Sequence, residues 1–213
     1  MSPVNTPRLV VFAKAPLAGL AKTRLIPALG AEGAARLARR FLDHAMAQAI
    51  QAGVGLVELC LSPGPDDSAW HGVKRPDDVS CTDQGEGDLG ARMARAVHRV
   101  TAGPHGQPIL LMGTDCPQLT AGILRDAAAQ LAQHDAVLIP VADGGYVLLG
   151  LRAPCPALFS EMAWSTPVVA AETQRRLAGL GLSVWVGPTL NDIDEPADLR
   201  FVPGSWNFRS KWP

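Results

Sequence analysis

Short, continuously apolar runs alternate along the chain with longer stretches whose apolar residues recur every three or four positions. We predict strands over the short runs, residues 8–13, 54–61, 79–82, 108–112, 136–141, 146–151 and 182–186. Strands that are apolar throughout are typical of sheets covered by helices on both faces, and such sheets are mostly parallel. The pattern therefore predicts an α/β fold with a mostly parallel central sheet.

The longer stretches predict helices over residues 31–52, from 89 to about 100, from 120 to about 133, and from 166 onward. Asp88 and Thr120 carry side chains that cap helix N-termini, and Thr166-Pro167 combines a hydroxyl cap with a proline in the first turn. An Ala-Asp-Gly-Gly sequence joins the fifth and sixth predicted strands, which are the candidate antiparallel pair of the sheet.

The chain of 213 residues suits one α/β domain, with a core over residues 8–201 and a tail, residues 203–213, that we expect to pack as a surface strap. A formal net charge of −1 argues against a nucleic-acid binder, because affinity for a phosphate backbone needs excess lysine and arginine. No apolar stretch approaches the length of a membrane span. The four cysteines and five histidines are scattered, so we expect free thiols, a cytoplasmic protein and no zinc site.

Residues 14–25, KAPLAGLAKTRL, hold three cations and no acid directly after the first predicted strand. Ligands of open α/β sheets bind at the carboxyl ends of strands, so we expect Lys14, Lys22 and Arg24 to bind the phosphates of a small ligand. Gly19 would let backbone N–H groups approach that ligand closely. The segment lacks the Walker pattern, and its alternative interpretation is a solvated basic loop.

Carboxylates follow three later strands. Thr120 is better placed than Asp115 to cap the next helix, which leaves Asp115 free to bind a metal. Asp143 stands in the Asp-Gly-Gly sequence, which is a hairpin turn, a ligand contact or both. Asp192 and Asp194 follow the last strand, where Asp194 is alternatively a plain helix cap. Cations at one strand end and carboxylates at three others fit a polyphosphate bridged to the protein by a divalent metal.

Six motifs in order along the chain resemble one bacterial family. They are K-x-P-x-x-G-x-x-K-T-R-L from residue 14, G-D-L-G-x-R-M from 87, G-T-D-C-P-x-L from 113, D-G-G-Y-x-L-x-G-L from 143, W-S-T from 164 and D-I-D-x-P-x-D-L from 192. The chain is similar from about residue 8 to 201 to the DUF2064 family, a glycosyltransferase-like group of the arsenosugar-biosynthesis type in the nucleotide-diphospho-sugar transferase superfamily. The opening segment also resembles that of the 2-phospholactate guanylyltransferases.

The resemblance implies a GT-A-like three-layer α/β/α sandwich, an Mg²⁺ or Mn²⁺ ion, a nucleotide or nucleotide-sugar donor and a small-molecule acceptor. Asp115 and Asp194 would hold the metal, with Asp192 as the other candidate for the second ligand. Lys22 and Arg24 would stabilise the charge of the reacting phosphates. The residues expected to face the sugar or the acceptor are Asp143, Gly144, Gly145, Trp164, Ser165 and Thr166, and for Trp164 ordinary packing is the alternative.

Two reactions stay open at this point. Resemblance over the whole chain favours glycosyl transfer from a nucleotide-diphospho-sugar. The basic segment and the lone carboxylate of Thr114-Asp115-Cys116-Pro117 favour nucleotidyl transfer from an NTP to a phosphorylated small molecule, because sugar transferases of this fold commonly use D-x-D. A non-catalytic nucleotide-binding protein is a third class, which would have no need of the metal. We expect an enzyme, and glycosyl transfer as its reaction.

Overall fold

The computed structural model of the chain describes residues 6–206. Its strands are β1 (Arg8–Lys14), β2 (Val57–Ser62), β3 (Ser80–Asp83), β4 (Ile109–Met112), β5 (Ala136–Pro140), β6 (Tyr146–Leu151) and β7 (Val184–Val186). Its α-helices are α1 (Ile26–Ala52), α2 (Leu89–Thr101), α3 (Ala121–Leu131) and α4 (Val169–Gly179). Short 3₁₀ helices lie at Thr23–Leu25, Ser68–Trp70, Pro156–Leu158, Pro196–Phe201 and Gly204–Trp206.

The strands within residues 6–206 form one sheet in the order β3-β2-β1-β4-β6-β5-β7. Strand β6 is antiparallel to β4 and to β5, whereas the other neighbouring strands run parallel. The predicted antiparallel pair is therefore confirmed, and Gly144 closes its turn by donating its N–H to the Val141 carbonyl at 3.0 Å. Because every strand except β6 shares one direction, their carboxyl ends meet along one edge of the sheet.

Helices cover both faces of the sheet. Leu9 and Val11 of β1 point into the core cluster formed with α1 and α3. Val10, between them, belongs to the cluster formed with α2 and α4. This alternation places apolar side chains on both faces of the same strand, as expected of a sheet buried on both sides. The predicted three-layer α/β/α sandwich with a mostly parallel sheet is confirmed.

A smaller apolar cluster lies where the segment before α1 meets the C-terminal part of the chain. Leu25 and Ile193 are both fully buried there, against Leu37 and Phe41 of α1. These contacts hold the end of the basic segment next to residues 192–194. The cluster therefore packs next to the carboxyl edge of the sheet and holds these two segments together.

Glu58 is a fully buried carboxylate in the otherwise apolar strand β2. It accepts hydrogen bonds from Arg99 at 2.9 Å, from Arg8 at 3.2 Å and from the Thr82 hydroxyl at 2.8 Å. Burial alone would raise the pKa of Glu58, but these hydrogen bonds and the Arg99 charge outweigh burial and lower it. Glu58 is therefore held as a charged, fully paired group that joins β1, β2, β3 and α2.

Two predicted helix starts differ in the structure. Helix α1 begins at Ile26 rather than at residue 31, with a break at Gly30 (φ 69°, ψ 165°). The expected start of α4 at residues 166–167 is wrong, because the Thr166 hydroxyl donates back to the Ala163 carbonyl at 2.6 Å and the helix begins at Val169. Asp88 and Thr120 cap α2 and α3 as predicted, by accepting hydrogen bonds from the N–H groups of residues 91 and 123.

Only the beginning of the expected C-terminal strap falls within the described residues. Trp206 packs against Phe41 and His44 of α1, with ring-centroid distances of 5.8 and 5.2 Å. Residues 207–213 lie outside the described part of the chain.

Candidate functional site

A cavity of about 520 Å³ opens at the carboxyl edge of the sheet. It lies where the polar ends of β1, β4, β5 and β7 meet, which is where ligands of this class of fold bind. Its charged lining residues are Lys14, Lys22, Arg24, Asp115, Asp143, Asp192 and Asp194. The structure thus brings the predicted cations and the predicted carboxylates together around one space.

The ammonium of Lys22 lies between two of these carboxylates. Its Nζ donates to Asp115 Oδ2 at 2.9 Å and to Asp194 Oδ1 at 2.5 Å. The Lys22 side chain is only 13% exposed, whereas those of Asp115 and Asp194 are 34% and 42% exposed. A positive charge therefore occupies the space between the carboxylates, while both acids keep part of their surface open to the cavity.

Backbone geometry brings Lys22 to this position. Lys22 has left-handed backbone angles (φ 46°, ψ 48°), which are uncommon for a residue other than glycine and are concentrated at functional sites. The 3₁₀ turn Thr23–Leu25 follows at once, and Leu25 is anchored in the apolar cluster below. Arg24 instead points outward, with a side chain that is 64% exposed and 3.9 Å from Glu195.

The two carboxylates that contact Lys22 come from distant parts of the chain. The N–H of Ile193 donates to the Asp115 carbonyl at 3.0 Å, which joins the end of β4 to the segment after β7. Ile193 is fully buried, so the acid that follows it is held at the rim of the cavity. Asp194 does not cap the 3₁₀ helix Pro196–Phe201. Asp198 accepts the N–H groups of residues 194 and 195 instead, at 3.2 and 2.8 Å.

The pKa shifts of the pair reflect its mutual contact. Burial by itself lowers the pKa of Lys22, but the charges of Asp115 and Asp194 outweigh it and raise that pKa above its ordinary value. Burial likewise raises the pKa of Asp115, and the Lys22 ammonium more than reverses this and lowers it. Lys22 and Asp115 are therefore both charged at neutral pH.

Asp192 experiences the opposite balance. Burial, followed by the neighbouring charges of Asp115, Asp143 and Asp194, raises the pKa of Asp192 to about 7. The difference follows from the position of Lys22, which makes hydrogen bonds with Asp115 and Asp194. The acidic side of the cavity thus holds more negative charge than Lys22 compensates.

The remaining predicted residues divide into two groups. Asp143, Gly145, Trp164 and Ser165 line the same cavity. The cavity lining does not include Gly19, Gly144 and Thr166. Gly144 has a structural reason to be glycine, because a Cβ there would lie 2.0 Å from the Pro167 carbonyl oxygen.

The segment that carries Trp164 is held against the N-terminus of α2. A Cβ on Gly90 would lie 2.6 Å from Trp164 Nε1, so glycine is what lets the indole pack there. The backbone of Glu161 and that of Ser165 both have positive φ, 49° and 62°. One residue with left-handed backbone angles thus precedes Trp164 and one follows it, and together they determine the path of this segment.

Gln84 is a lining residue that the sequence analysis did not single out. It is 4% exposed, and its Nε2 donates to the carbonyls of Ala13 at 3.2 Å and Cys60 at 3.0 Å. With its amide donors used by the main chain, the side chain has its carbonyl oxygen left to accept from a ligand. A glutamine is ordinarily a surface residue, so nothing in the local sequence distinguishes this one.

The donor set around Lys22 suits a hard divalent cation. Within residues 6–206, no three His, Cys, Asp or Glu side chains are arranged to hold a metal by themselves. Asp115 and Asp194 supply two carboxylates, and the Lys22 ammonium is a stand-in that shows a cation fits between them. Mg²⁺ is usually bound by one or two carboxylates together with substrate phosphates. These residues therefore fit a metal that arrives with a phosphate-bearing ligand.

The fold is that of the sugar-nucleotide and nucleotidyl transferases. A protein from Desulfovibrio desulfuricans G20, provisionally assigned as a nucleotide-diphospho-sugar transferase, matches with a TM-score of 0.85 and 28% identity, over 96% of this chain and 89% of that one. Rv0371c from Mycobacterium tuberculosis H37Rv matches with a TM-score of 0.59 and 20% identity, over 92% and 96% of the two chains. Rv0371c has also been solved in complex with manganese.

A structure of CMP:2-keto-3-deoxy-manno-octonic acid synthetase complexed with CTP matches with a TM-score of 0.57 and 14% identity, over 94% of this chain and 98% of that one.

The chain belongs to the DUF2064 family, described as an uncharacterized protein conserved in bacteria, whose sequence pattern matches residues 42–166. No curated protein matches the sequence significantly. Within residues 6–206, none of the helices is both long and apolar enough to cross a membrane.

Proposed function

We propose that this protein is a metal-dependent transferase that moves a glycosyl group from a nucleotide-diphospho-sugar to a small acceptor. One observation carries the proposal: the Lys22 ammonium lies between Asp115 and Asp194, 2.9 and 2.5 Å from their oxygens, at the edge where a cationic segment meets the carboxylates. A site with this arrangement can bind the phosphates of a nucleotide through its cations and a divalent ion through its acids.

In this proposal the basic segment binds the diphosphate of the donor. Lys14, Lys22 and Arg24 all line the cavity, and each would donate N–H groups to phosphate oxygens. Their charges stabilise the negative charge that develops on the leaving nucleoside diphosphate. Asp115 and Asp194 would hold an Mg²⁺ or Mn²⁺ ion, which would supply further positive charge next to the same phosphates.

The rest of the cavity receives the base, the sugar and the acceptor. Gln84 offers a hydrogen-bond acceptor to an N–H group of the base. Asp143, Trp164 and Ser165 also line the cavity and would face the sugar or the acceptor. Carboxylates that accept hydrogen bonds from sugar hydroxyls, together with contact against an indole, are an ordinary way to hold a polyol.

The charges of the cavity favour glycosyl transfer over nucleotidyl transfer. Its three lining cations, Lys14, Lys22 and Arg24, all belong to the basic segment, and the proposal uses them for the donor phosphates. A phosphorylated acceptor next to Asp143 would meet a like charge that repels it. An acceptor that carries hydroxyl groups and no phosphate avoids this cost.

Nucleotidyl transfer stays the second candidate because Asp115 is the lone carboxylate of its motif. One protein of similar fold is named a nucleotidyl transferase, and another is the synthetase complexed with CTP. In that reaction an acceptor phosphate attacks the α-phosphorus of an NTP and pyrophosphate leaves. The two candidates thus differ in their products.

The released product distinguishes the two reactions. The wild-type protein is incubated with Mg²⁺ and either a panel of nucleotide sugars or a panel of NTPs, each with mixed neutral and phosphorylated acceptors. We expect a nucleoside diphosphate to appear from a nucleotide sugar, including a slow release to water that needs no acceptor. Pyrophosphate formed from an NTP only when a phosphorylated acceptor is present would instead establish nucleotidyl transfer.

A further inference from the structure

We propose that Lys22 is an exchangeable counter-ion that couples metal binding to nucleotide binding. Its ammonium compensates Asp115 and Asp194 until a divalent metal arrives together with nucleotide phosphates, and it then moves from the carboxylates to the phosphates. The proposal rests on the metal and nucleotide site described under the proposed function. It adds a dependence between the two ligands, in which the metal binds tightly only when the nucleotide is also bound.

The contacts leave room for this exchange. Lys22 Nζ bonds one oxygen of each acid, Oδ2 of Asp115 and Oδ1 of Asp194. The acids keep 34% and 42% of their side-chain surface exposed, so a metal reaches them from the cavity without unfolding anything. The ammonium sits on a flexible four-carbon stem, and rotation of that stem suffices to move the charge.

A metal that binds without a nucleotide loses favourable contacts that the unliganded site already has. It must displace an ammonium that already makes two charge-assisted hydrogen bonds and lies 5.6 Å from the centre of the Phe41 ring. The displaced Lys22, whose side chain is 13% exposed, would lose both of its present anionic partners. Two carboxylates also complete only part of the coordination that Mg²⁺ or Mn²⁺ requires.

A metal that arrives with a nucleotide avoids both costs. The phosphates supply the missing oxygen ligands, and they give the displaced ammonium a new anionic partner on the same segment as Lys14 and Arg24. The positive charge of Lys22 is therefore never left uncompensated. Removal of the Lys22 charge should consequently improve the binding of metal alone, whereas it should weaken the binding of phosphates.

Titration with Mn²⁺ alone tests the proposal, with the free ion followed by electron paramagnetic resonance. We expect Lys22→Met to bind Mn²⁺ about tenfold more tightly than the wild type, within the usual range of coupling between two ligands. Lys22→Arg keeps the charge and should bind as weakly as the wild type. Arg24→Met is the matched control, because it removes a charge from the same segment without touching either acid, and it should change the affinity little.

Two further variants make the outcome unambiguous. Lys22→Met combined with Asp115→Asn should lose the tenfold gain in Mn²⁺ affinity, which would show that the gain depends on the Asp115 carboxylate. Lys22→Gln repeats the test with a polar side chain, and circular dichroism checks that each variant is folded. If folded Lys22→Met and Lys22→Gln bind Mn²⁺ no more tightly than the wild type, the exchange is wrong. The proposed transfer reaction is judged separately, by the products of the wild-type protein.

Discussion

Asp115→Asn should abolish the stabilisation that Mg²⁺ and nucleotide together give to the protein. The same variant should lower turnover by about 10²–10³-fold, which is the effect of losing one preorganised electrostatic group. Asparagine keeps the size of the side chain but removes its charge. At ligand concentrations of about 100 times Kd, binding stabilises a protein by about 2.7 kcal/mol. In a chain of this length that amounts to a rise in Tm of about 5–10 °C, which the variant should lose.

The unliganded Asp115→Asn variant should melt close to the wild type, because Lys22 keeps its contact with Asp194. Asp126→Asn, an exposed acid on α3 away from the cavity, is the matched control and should keep both the ligand-induced shift and the turnover. Asp194→Asn should behave like Asp115→Asn, and Asp192→Asn should be milder. A full ligand-induced shift in Asp115→Asn would remove this residue from the metal site.

The second large effect concerns the phosphates. Lys22→Ala and Arg24→Ala should each weaken nucleotide binding by about 1.5–3 kcal/mol, the worth of a hydrogen bond to a charged group, which is roughly 10–150-fold in Kd. Lys22 should lie at the upper end because its side chain is nearly buried, and Arg24 at the lower end because its side chain is 64% exposed. Calorimetric titration with nucleotide at saturating Mg²⁺, the condition in which Lys22 is expected on the phosphates, measures this loss in each variant.

The control for this measurement is Lys74→Ala, which removes an exposed cation that does not line the cavity and should leave the affinity unchanged. Equal affinities of wild type, Lys22→Ala and Arg24→Ala would return residues 14–25 to the interpretation as a solvated basic loop. A loss confined to Lys22→Ala would restrict the phosphate site to the buried part of the segment.

Much of the fold could be predicted because local chemistry and tertiary structure agree. The apolar runs became strands, Asp88 and Thr120 became caps, and the Asp-Gly-Gly sequence became the β5–β6 turn. The start of α4 could not be predicted from Thr166-Pro167. The Pro167 carbonyl lies against Gly144 of the β5–β6 turn, and the Thr166 hydroxyl donates to the carbonyl of residue 163, so these two contacts override the local helix-start signal.

The candidate site shows the same division. Its cations and acids could be chosen because they follow strands that end at one edge of a mostly parallel sheet. That Lys22 bridges Asp115 and Asp194 could not be foreseen, because it depends on the Ile193 hydrogen bond to the end of β4 and on left-handed backbone angles at Lys22. Gln84 could not be predicted for a similar reason, because its position depends on hydrogen bonds to main-chain carbonyls of two other strands.

A crystal of the protein grown with Mn²⁺ and a nucleoside diphosphate, measured at a wavelength where manganese scatters anomalously, tests the central claim most directly. The account predicts an anomalous peak shared by Asp115, Asp194 and the phosphates, with Lys22 and Arg24 on phosphate oxygens. A peak on neither carboxylate, or a diphosphate bound away from residues 14–25, would contradict it.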